Sequence, residues 1–313
     1  SAGVYRSILA RAHRLVRRQY GLFNEVIAPA LEERGVVILN HAQRSAEQRE
    51  WVRDYFQREV RPLLSPIGLD PSHPFPQVLN KSLNFILQLE GKDAFGRLSA
   101  TAILKVPRVV PRVIPVPDAL AGGRTAFVLL TSAIRAHLQD LFPGRQVTGF
   151  SQFRVTRDSD LTVDEQEARN LRQALRMELT QRHFGNAVRL EVRQTCPQPL
   201  QQLLRDQFQL PDEAVFRVDG PVNLVRLNQL VDHLTQAELR WPPFLPAWPA
   251  RIPQGADMFS ALKHEDVLLH HPYQSFLPVI EFIRTAVTDP RVIAIKQTVY
   301  RTGTDSELMD ILI

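Results

Sequence analysis

A proline-dense segment divides the chain and limits what it can fold into. Five prolines lie between Trp241 and Pro253, in the run Trp-Pro-Pro-Phe-Leu-Pro-Ala-Trp-Pro-Ala-Arg-Ile-Pro. Proline fixes φ and cannot donate a backbone hydrogen bond, so neither a regular helix nor a central strand can continue through this segment. We therefore predict an ordered, extended linker between two folded parts. The length of 313 residues also suits about two domains.

A long helical pattern opens the chain. Residues 4–33 carry apolar side chains at steps of three or four residues or their multiples, which predicts one amphipathic helix. The apolar stripe is Val4, Ile8, Leu15, Leu22 and Val26. The pattern is already running at the first residue and there is no initiator Met, so we expect a partial sequence.

The next region changes to strand patterns. After a short strand at 36–39, Ser45 to Gln48 forms a capping box, in which each end satisfies a backbone N–H of the other and a helix begins. Strands are predicted at 84–90, 98–106, 113–116, 127–130, 150–156 and 188–192, and helices at 132–141 and 163–183. This succession predicts an α+β domain with a mostly antiparallel sheet.

After the linker the pattern becomes that of an α/β domain. We predict a strand at 266–270, a helix at 278–287 and a helix from Ser306 onward. The continuous apolar run Val292-Ile293-Ala294-Ile295 is typical of a central parallel strand.

The end of that last strand holds the candidate site. In open α/β sheets ligands bind at the carboxyl ends of the strands, and a following helix presents free N–H groups to anions. Arg301 lies there, with Lys296 and Tyr300 on or near the same strand. From spacing alone, an arginine that binds phosphate and an ordinary surface or salt-bridge arginine both remain open. Lys296 can equally be a strand lysine that extends to solvent.

Composition narrows the function classes. The net charge of +5 favours an anionic ligand without identifying it, and only five of the 38 basic residues are lysine. The single cysteine, Cys196, excludes an internal disulfide or a multi-cysteine zinc site within this chain and suits a reducing cytoplasm. We find no transmembrane segment, no secretion signal, no Walker or Rossmann glycine motif and no protein-kinase motif set.

Several segments, in one order along the chain, resemble one enzyme family. They are His73–Pro76, Asn80–Asn84, Phe153–Asp158, Val188–Val192, the segment from Asp266 to Phe276 (which contains His270-His271-Pro272-Tyr273), Asp289-Pro290 and Ala294–Thr302. Together they resemble the histidine-phosphorylating polyphosphate kinase family. The resemblance covers nearly the whole chain.

This resemblance implies a domain plan. Residues 1–34 would be the end of an N-terminal helical domain, and residues 35–241 an α+β head domain that contributes to subunit contacts. Residues 242–313 would begin the first of two α/β domains that resemble phospholipase D. The phosphohistidine would lie beyond Ile313, so this stretch alone is expected to make no polyphosphate.

The resemblance also implies chemistry and partners. ATP would pass its γ-phosphate to polyphosphate, reversibly, through a phosphohistidine, with Mg²⁺ as cofactor and ADP as product. Arg301 falls on the family arginine that is associated with the metal–phosphate site, with Lys296 and Tyr300 as support. A cytoplasmic homo-oligomer, a dimer or larger, is expected, with peripheral membrane association left open and no nucleic acid partner. Two alternatives stay open: another phospholipase-D-like phosphotransferase or hydrolase, and a non-enzymatic module that binds polyanions.

Overall fold

The computed structural model of the protein describes residues 2–70, 72, 74–92, 100–158, 185–234, 236–298 and 306–313. The chain forms two compact units, Ser1–Thr235 and Gln236–Ile313. The helices of the first unit are α1 (Ala2–Leu22), α2 (Ala28–Glu33), α3 (Ala46–Tyr55), α4 (Asp118–Ala121), α5 (Leu130–Ala136), α6 (Gln198–Gln207) and α7 (Gln229–His233). Its strands are β1 (Val36–Ile38), β2 (Pro66–Gly68), β3 (Leu83–Glu90), β4 (Thr101–Lys105), β5 (Val113–Pro115), β6 (Thr125–Leu129), β7 (Gln146–Arg157), β8 (Ala187–Arg193) and β9 (Val215–Val218). The second unit contains α8 (Met258–His264), α9 (Leu277–Thr288) and α10 (Glu307–Leu312).

The opening helix forms as predicted, but its apolar stripe does not face the core. A π-helical turn at Phe23–Ile27 joins α1 to α2, and the chain leaves the helix at Gly35, whose φ of 74° suits a residue without a side chain. The predicted stripe of five residues is exposed, by 51% to 59%. Leu9, Val16 and Tyr20 make the inward contacts instead, because the first unit packs against the face of α1 that carries them.

The larger sheet has six strands in the order β2-β4-β3-β7-β8-β9. Its pairs are antiparallel except β8 with β9, so the prediction of a mostly antiparallel sheet is confirmed. Phe85 and Leu87 of β3 join a core on one face, and Ile86 joins a second core on the other. Since β3 is central and covered on both faces, it is almost continuously buried. Each such side chain contributes about 1.5–3 kcal/mol on burial.

The smaller sheet has the order β1-β6-β5, with β1 parallel to β6 and β6 antiparallel to β5. The predicted capping box is confirmed. The Ser45 hydroxyl accepts a hydrogen bond from the Gln48 backbone N–H, and the Gln48 side chain accepts one from the Ser45 backbone N–H. The helix predicted at 132–141 begins earlier, as α5, and ends at Ala136, before a separate turn of 3-10 helix at Gln139–Leu141. The helix predicted at 163–183 lies outside the described residues.

In the second unit the two predicted helices form, α8 (Met258–His264) was not predicted, and the predicted strands are absent from the described residues. Helices α9 and α10 form and pack through Ile280, Ile283 and Leu308. Residues 266–270 and 292–295 are not strands, and Ile293 is 99% exposed. A strand requires a hydrogen-bonded neighbour, and the described residues 236–298 and 306–313 contain none that pairs with these segments. Across the described parts of both units, every helix is too short or too polar to cross a bilayer.

Candidate functional site

The residues predicted to bind phosphate are only partly within the described structure. Lys296 is exposed, in the non-strand segment that precedes the gap at 299–305. Tyr300 and Arg301 lie outside the described residues. Their grouping with Lys296 therefore stays a prediction.

The paired histidines lie in an exposed turn. The Gln274 side chain accepts a hydrogen bond from the backbone N–H of His270 at 2.8 Å, and the His271 Nδ1 lies 2.9 Å from the Gln274 carbonyl oxygen. Tyr273 contacts the His270 ring edge-on at 5.0 Å between centroids. These contacts shape the turn. No group of three or more metal-binding side chains occurs among the described residues.

An ion network lies on β7 and β8 of the large sheet. The Glu191 carboxylate, 4% exposed, accepts hydrogen bonds from Arg154 Nε and, at 2.6 Å, from Arg189 Nη2. Arg154 also donates to the Asn223 side-chain oxygen at 2.8 Å. Glu191 is therefore a buried carboxylate that is shared by two arginines.

A stack of three side chains connects this network to α1. The Arg189 guanidinium lies 4.0 Å from the ring centroid of Phe216 on β9. The His13 ring of α1 is also stacked on Phe216, at 3.9 Å and nearly parallel, and its Nε2 donates to the Glu213 carbonyl oxygen at 2.8 Å. Cation–π and ring stacking contacts thus hold α1 against β9.

Tyr20 of α1 is buried near this contact between α1 and β9. Its hydroxyl donates to the Pro221 carbonyl oxygen at 2.8 Å. Burial, followed by the charge of Glu191, raises the pKa of the Tyr20 hydroxyl far above its usual value. Tyr20 is therefore a neutral hydrogen-bond donor, and its ring packs against Gly220.

A cleft of about 850 Å³ opens between α1 and β9. Its lining includes His13, Arg17, Arg205, Arg217, Glu25, Asp212, Asp219 and four glutamines. Two of its arginines are engaged: Arg205 pairs with Asp206 and Asp212, and the Arg217 Nε donates to Gln201 at 2.6 Å. The cleft can hold a polar ligand, but its lining offers no nucleophile hydrogen-bonded to a base.

Sequence patterns could not reveal this cleft, because His13 and its partner Glu213 are 200 positions apart. The lone cysteine lies near β8 and is buried, with its Sγ directed to the Pro197 carbonyl oxygen. Burial raises the pKa of the Cys196 thiol, which disfavours the nucleophilic thiolate.

Comparisons with known proteins place these features in a family. Residues 47–230 match the polyphosphate kinase middle domain, and residues 257–313 match the polyphosphate kinase C-terminal domain 1. A polyphosphate kinase of Neisseria gonorrhoeae is 50% identical over 301 residues, which is 96% of this chain and 44% of the relative. One of Burkholderia multivorans is 50% identical over 308 residues, 98% of this chain and 45% of the relative.

A crystal structure of polyphosphate kinase from Porphyromonas gingivalis has the same fold, with a TM-score of 0.68 and 24% identity over 99% of this chain and 45% of that chain. The chain thus spans less than half the length of these relatives. The middle-domain match alone covers more than half of the chain. The chain belongs to the polyphosphate kinase family.

Proposed function

We propose that the intact protein containing this chain transfers the terminal phosphate of ATP to polyphosphate, reversibly, through a phosphohistidine. The observation that carries the proposal is the order of the two matches, the middle domain at 47–230 and C-terminal domain 1 at 257–313. The relatives named above, at 50% identity, carry the same name.

The parts of the chain would then have separate tasks. Residues 1–34 complete a helical domain, residues 35–241 form the head and contribute to a homo-oligomer, and residues 242–313 begin a phospholipase-D-like α/β domain. The phosphohistidine lies downstream of Ile313. The protein works in the cytoplasm as a dimer or larger assembly.

The role proposed for Arg301 follows from the chemistry of guanidinium. Its planar fork donates two parallel hydrogen bonds to phosphate oxygens, and its charge persists at any physiological pH. Phosphoryl transfer depends mainly on positioning and on offsetting charge, and fixed cations do both. Lys296 and Tyr300 would support the same phosphate. Since the described residues contain no cluster of metal ligands, we assign them no Mg²⁺ site. A guanidinium, which lacks an acceptor atom, can approach a metal only through phosphate oxygens.

The test replaces Arg301 in the full-length protein. Arg301→Ala should lower ATP-dependent polyphosphate synthesis by about a hundredfold or more, with an unchanged thermal unfolding midpoint. Arg301→Lys should retain part of the rate, because it keeps the charge and loses the fork. Arg291→Ala is the matched control: this arginine is 85% exposed and pairs with Asp289 at 2.7 Å, so its loss should leave synthesis unchanged.

Two results would overturn the proposal. Equal synthesis by Arg301→Ala and wild type would remove Arg301 from the phosphate site. Chain growth is measured by gel electrophoresis of the polyphosphate. If the wild-type protein released inorganic phosphate from ATP without any chain growth, it would instead be a hydrolase.

A further inference from the structure

A buried arginine of the first unit lacks a carboxylate partner in the described structure. Arg44, in the loop between β1 and α3, is only 2% exposed. Its Nη2 donates to the Leu39 carbonyl oxygen at 3.4 Å and to the Ser132 hydroxyl. Its Nε and Nη1 are buried without a hydrogen-bond partner among the described residues. Burial, followed by the charge of Arg49, lowers the pKa of Arg44 to about 10. It therefore remains charged at neutral pH, although burying an unpaired charge is costly.

The position of Arg44 in the sheet is the second observation. Strands β1 and β6 are parallel, with Val36 opposite Thr125 and Ile38 opposite Phe127. Their carboxyl ends therefore lie at the same edge. The loop 39–45 leaves from β1 there, and α5, which carries Ser132, leaves from β6. The carboxyl ends of neighbouring parallel strands are where α/β sheets usually bind ligands.

Further basic side chains lie on the elements beside this loop: Arg49 is on α3, and Arg135 follows Ser132 by three residues on α5. His41, Arg49 and Arg135 are exposed, and His137 is half-buried. Burial lowers the pKa of His41, and the charges of Arg44, Arg49, Arg135 and His137 lower it further. We call these five residues the basic edge: His41, Arg44, Arg49, Arg135 and His137.

Carboxylates on the same elements are engaged in other contacts. Glu47 accepts a hydrogen bond from the Ser45 hydroxyl at 2.8 Å. The Asp140 carboxylate lies 3.0 Å from the Nδ1 of His137, which is itself a member of the basic edge. Neither is among the charges that shift the pKa of His41 or Arg44. Glu50, also on α3, pairs with Arg53 at 3.0 Å. Among the described residues, none of these three carboxylates forms an ion pair with Arg44, Arg49 or Arg135.

We propose that the basic edge binds the phosphate chain of an anionic ligand. His41, Arg49 and Arg135 contact the phosphoryl oxygens from the exposed side, and Arg44 adds its charge from below. Arginine forms strong, charge-assisted hydrogen bonds with phosphate, and a bound anion offsets the cost of the buried charge. A free polyphosphate and the phosphates of a nucleotide share this chemistry. The site belongs to the first unit and does not depend on Arg301 or on the proposed function.

A site-specific measurement tests the proposal on the full-length protein. The ring proton resonances of His41, assigned by their loss in His41→Gln, are followed by NMR through a pH titration. Inorganic tripolyphosphate should raise the pKa of His41, because an anion favours its charged form. ATP should act in the same way if nucleotide phosphates bind, whereas adenosine should have no effect.

Variants then separate a site from general charge. Arg49→Gln combined with Arg135→Gln should weaken binding, so that the half-saturating tripolyphosphate concentration rises about tenfold or more. Arg58→Gln is the matched control, since Arg58 is an exposed arginine whose Nε donates locally, to the carbonyl oxygen of Asp54 four residues earlier, at 3.4 Å. The affinity of the Arg58→Gln protein for tripolyphosphate should equal that of wild type. Arg44→Met should weaken binding while the unfolding midpoint is kept. If Arg44→Met does not fold, the Arg49 and Arg135 variants decide.

Three outcomes would overturn the proposal: no response of His41 to millimolar tripolyphosphate, an equal response to adenosine and ATP, or equal weakening by Arg58→Gln and the double variant. An Arg301→Ala protein that loses chain growth while His41 still responds would support both proposals. A response of His41 in a protein without any kinase activity would support this one and refute only the proposed function.

Discussion

Glu191→Gln is the most informative single substitution in the first unit. Glu191 is the carboxylate partner of Arg154 and Arg189, at a side-chain exposure of 4%, while the arginines are 18% and 27% exposed. Glutamine keeps the shape and removes the negative charge. Two partly buried guanidinium groups then lose their shared counter-charge.

The expected cost follows from that burial. Removing one partner of a buried ion pair costs about 3–5 kcal/mol, mostly because the other charge stays buried and unpaired. Since both arginines keep some contact with water, we expect the lower end, about 3 kcal/mol. Glu50→Gln is the matched control: Glu50 pairs with Arg53 at 3.0 Å, but both are more than half exposed. Its loss should cost about 0.5 kcal/mol or less.

Hydrogen exchange measured by mass spectrometry is the suitable assay. The chain has two compact units, so one overall unfolding curve need not report on the first. Exchange of β7 and β8 amides in low denaturant gives the local opening free energy. Sodium chloride at high concentration should change the Glu191→Gln deficit little, because buried pairs are weakly screened.

A double substitution strengthens the test. Arg154→Met removes one of the charges that Glu191→Gln leaves unpaired, so the two changes together should cost less than the sum of the single costs. The reasoning would fail if Glu191→Gln lowered the opening free energy no more than Glu50→Gln did. Strict additivity with Arg154→Met would equally show that the three charges do not act as a unit.

Two further predictions concern backbone geometry and helix capping. Gly220→Ala should destabilise the first unit by more than about 1 kcal/mol. The backbone φ of Gly220 is 155°, and an added Cβ would lie 3.1 Å from the Tyr20 ring. Gly21→Ala should instead stabilise α1, because the nearest atom to an added Cβ there is 4.0 Å away. Ser45→Ala should cost about 1 kcal/mol by removing the cap of α3, whereas Ser45→Asp should restore most of it. Urea unfolding followed by exchange of α1 and α3 amides measures both, and a neutral Gly220→Ala or Ser45→Ala would contradict them.

The features that were predicted well are those set by neighbouring residues. The capping box at Ser45 involves residues three positions apart, and its hydrogen bonds form whatever surrounds it. The end of the opening helix, predicted at residue 33, is also local: α2 ends at Glu33, and Gly35 follows with a positive φ. Strand β3 was recognised for the same reason, since its apolar pattern is contained in its own eight residues.

The failures concern faces and partners. The exposed stripe of α1 shows that an apolar pattern predicts a helix without identifying which side the rest of the unit covers. The run from Val292 to Ile295 has the composition of a buried strand, yet burial requires paired neighbours, which the described second unit does not provide. Arg301 remains a site predicted from its position after that run and from the family resemblance.

By itself the sequence determined the opening helix, α3, α9, α10, most strands of the first unit and the family resemblance, since these depend on short-range patterns and on residue order. It did not predict α6 or α8. Tertiary structure alone decided the grouping of Glu191 with Arg154 and Arg189, the contact of His13 with Phe216, and the unpaired burial of Arg44. Each depends on which distant segments meet, and that is settled by strand order and packing over the whole unit.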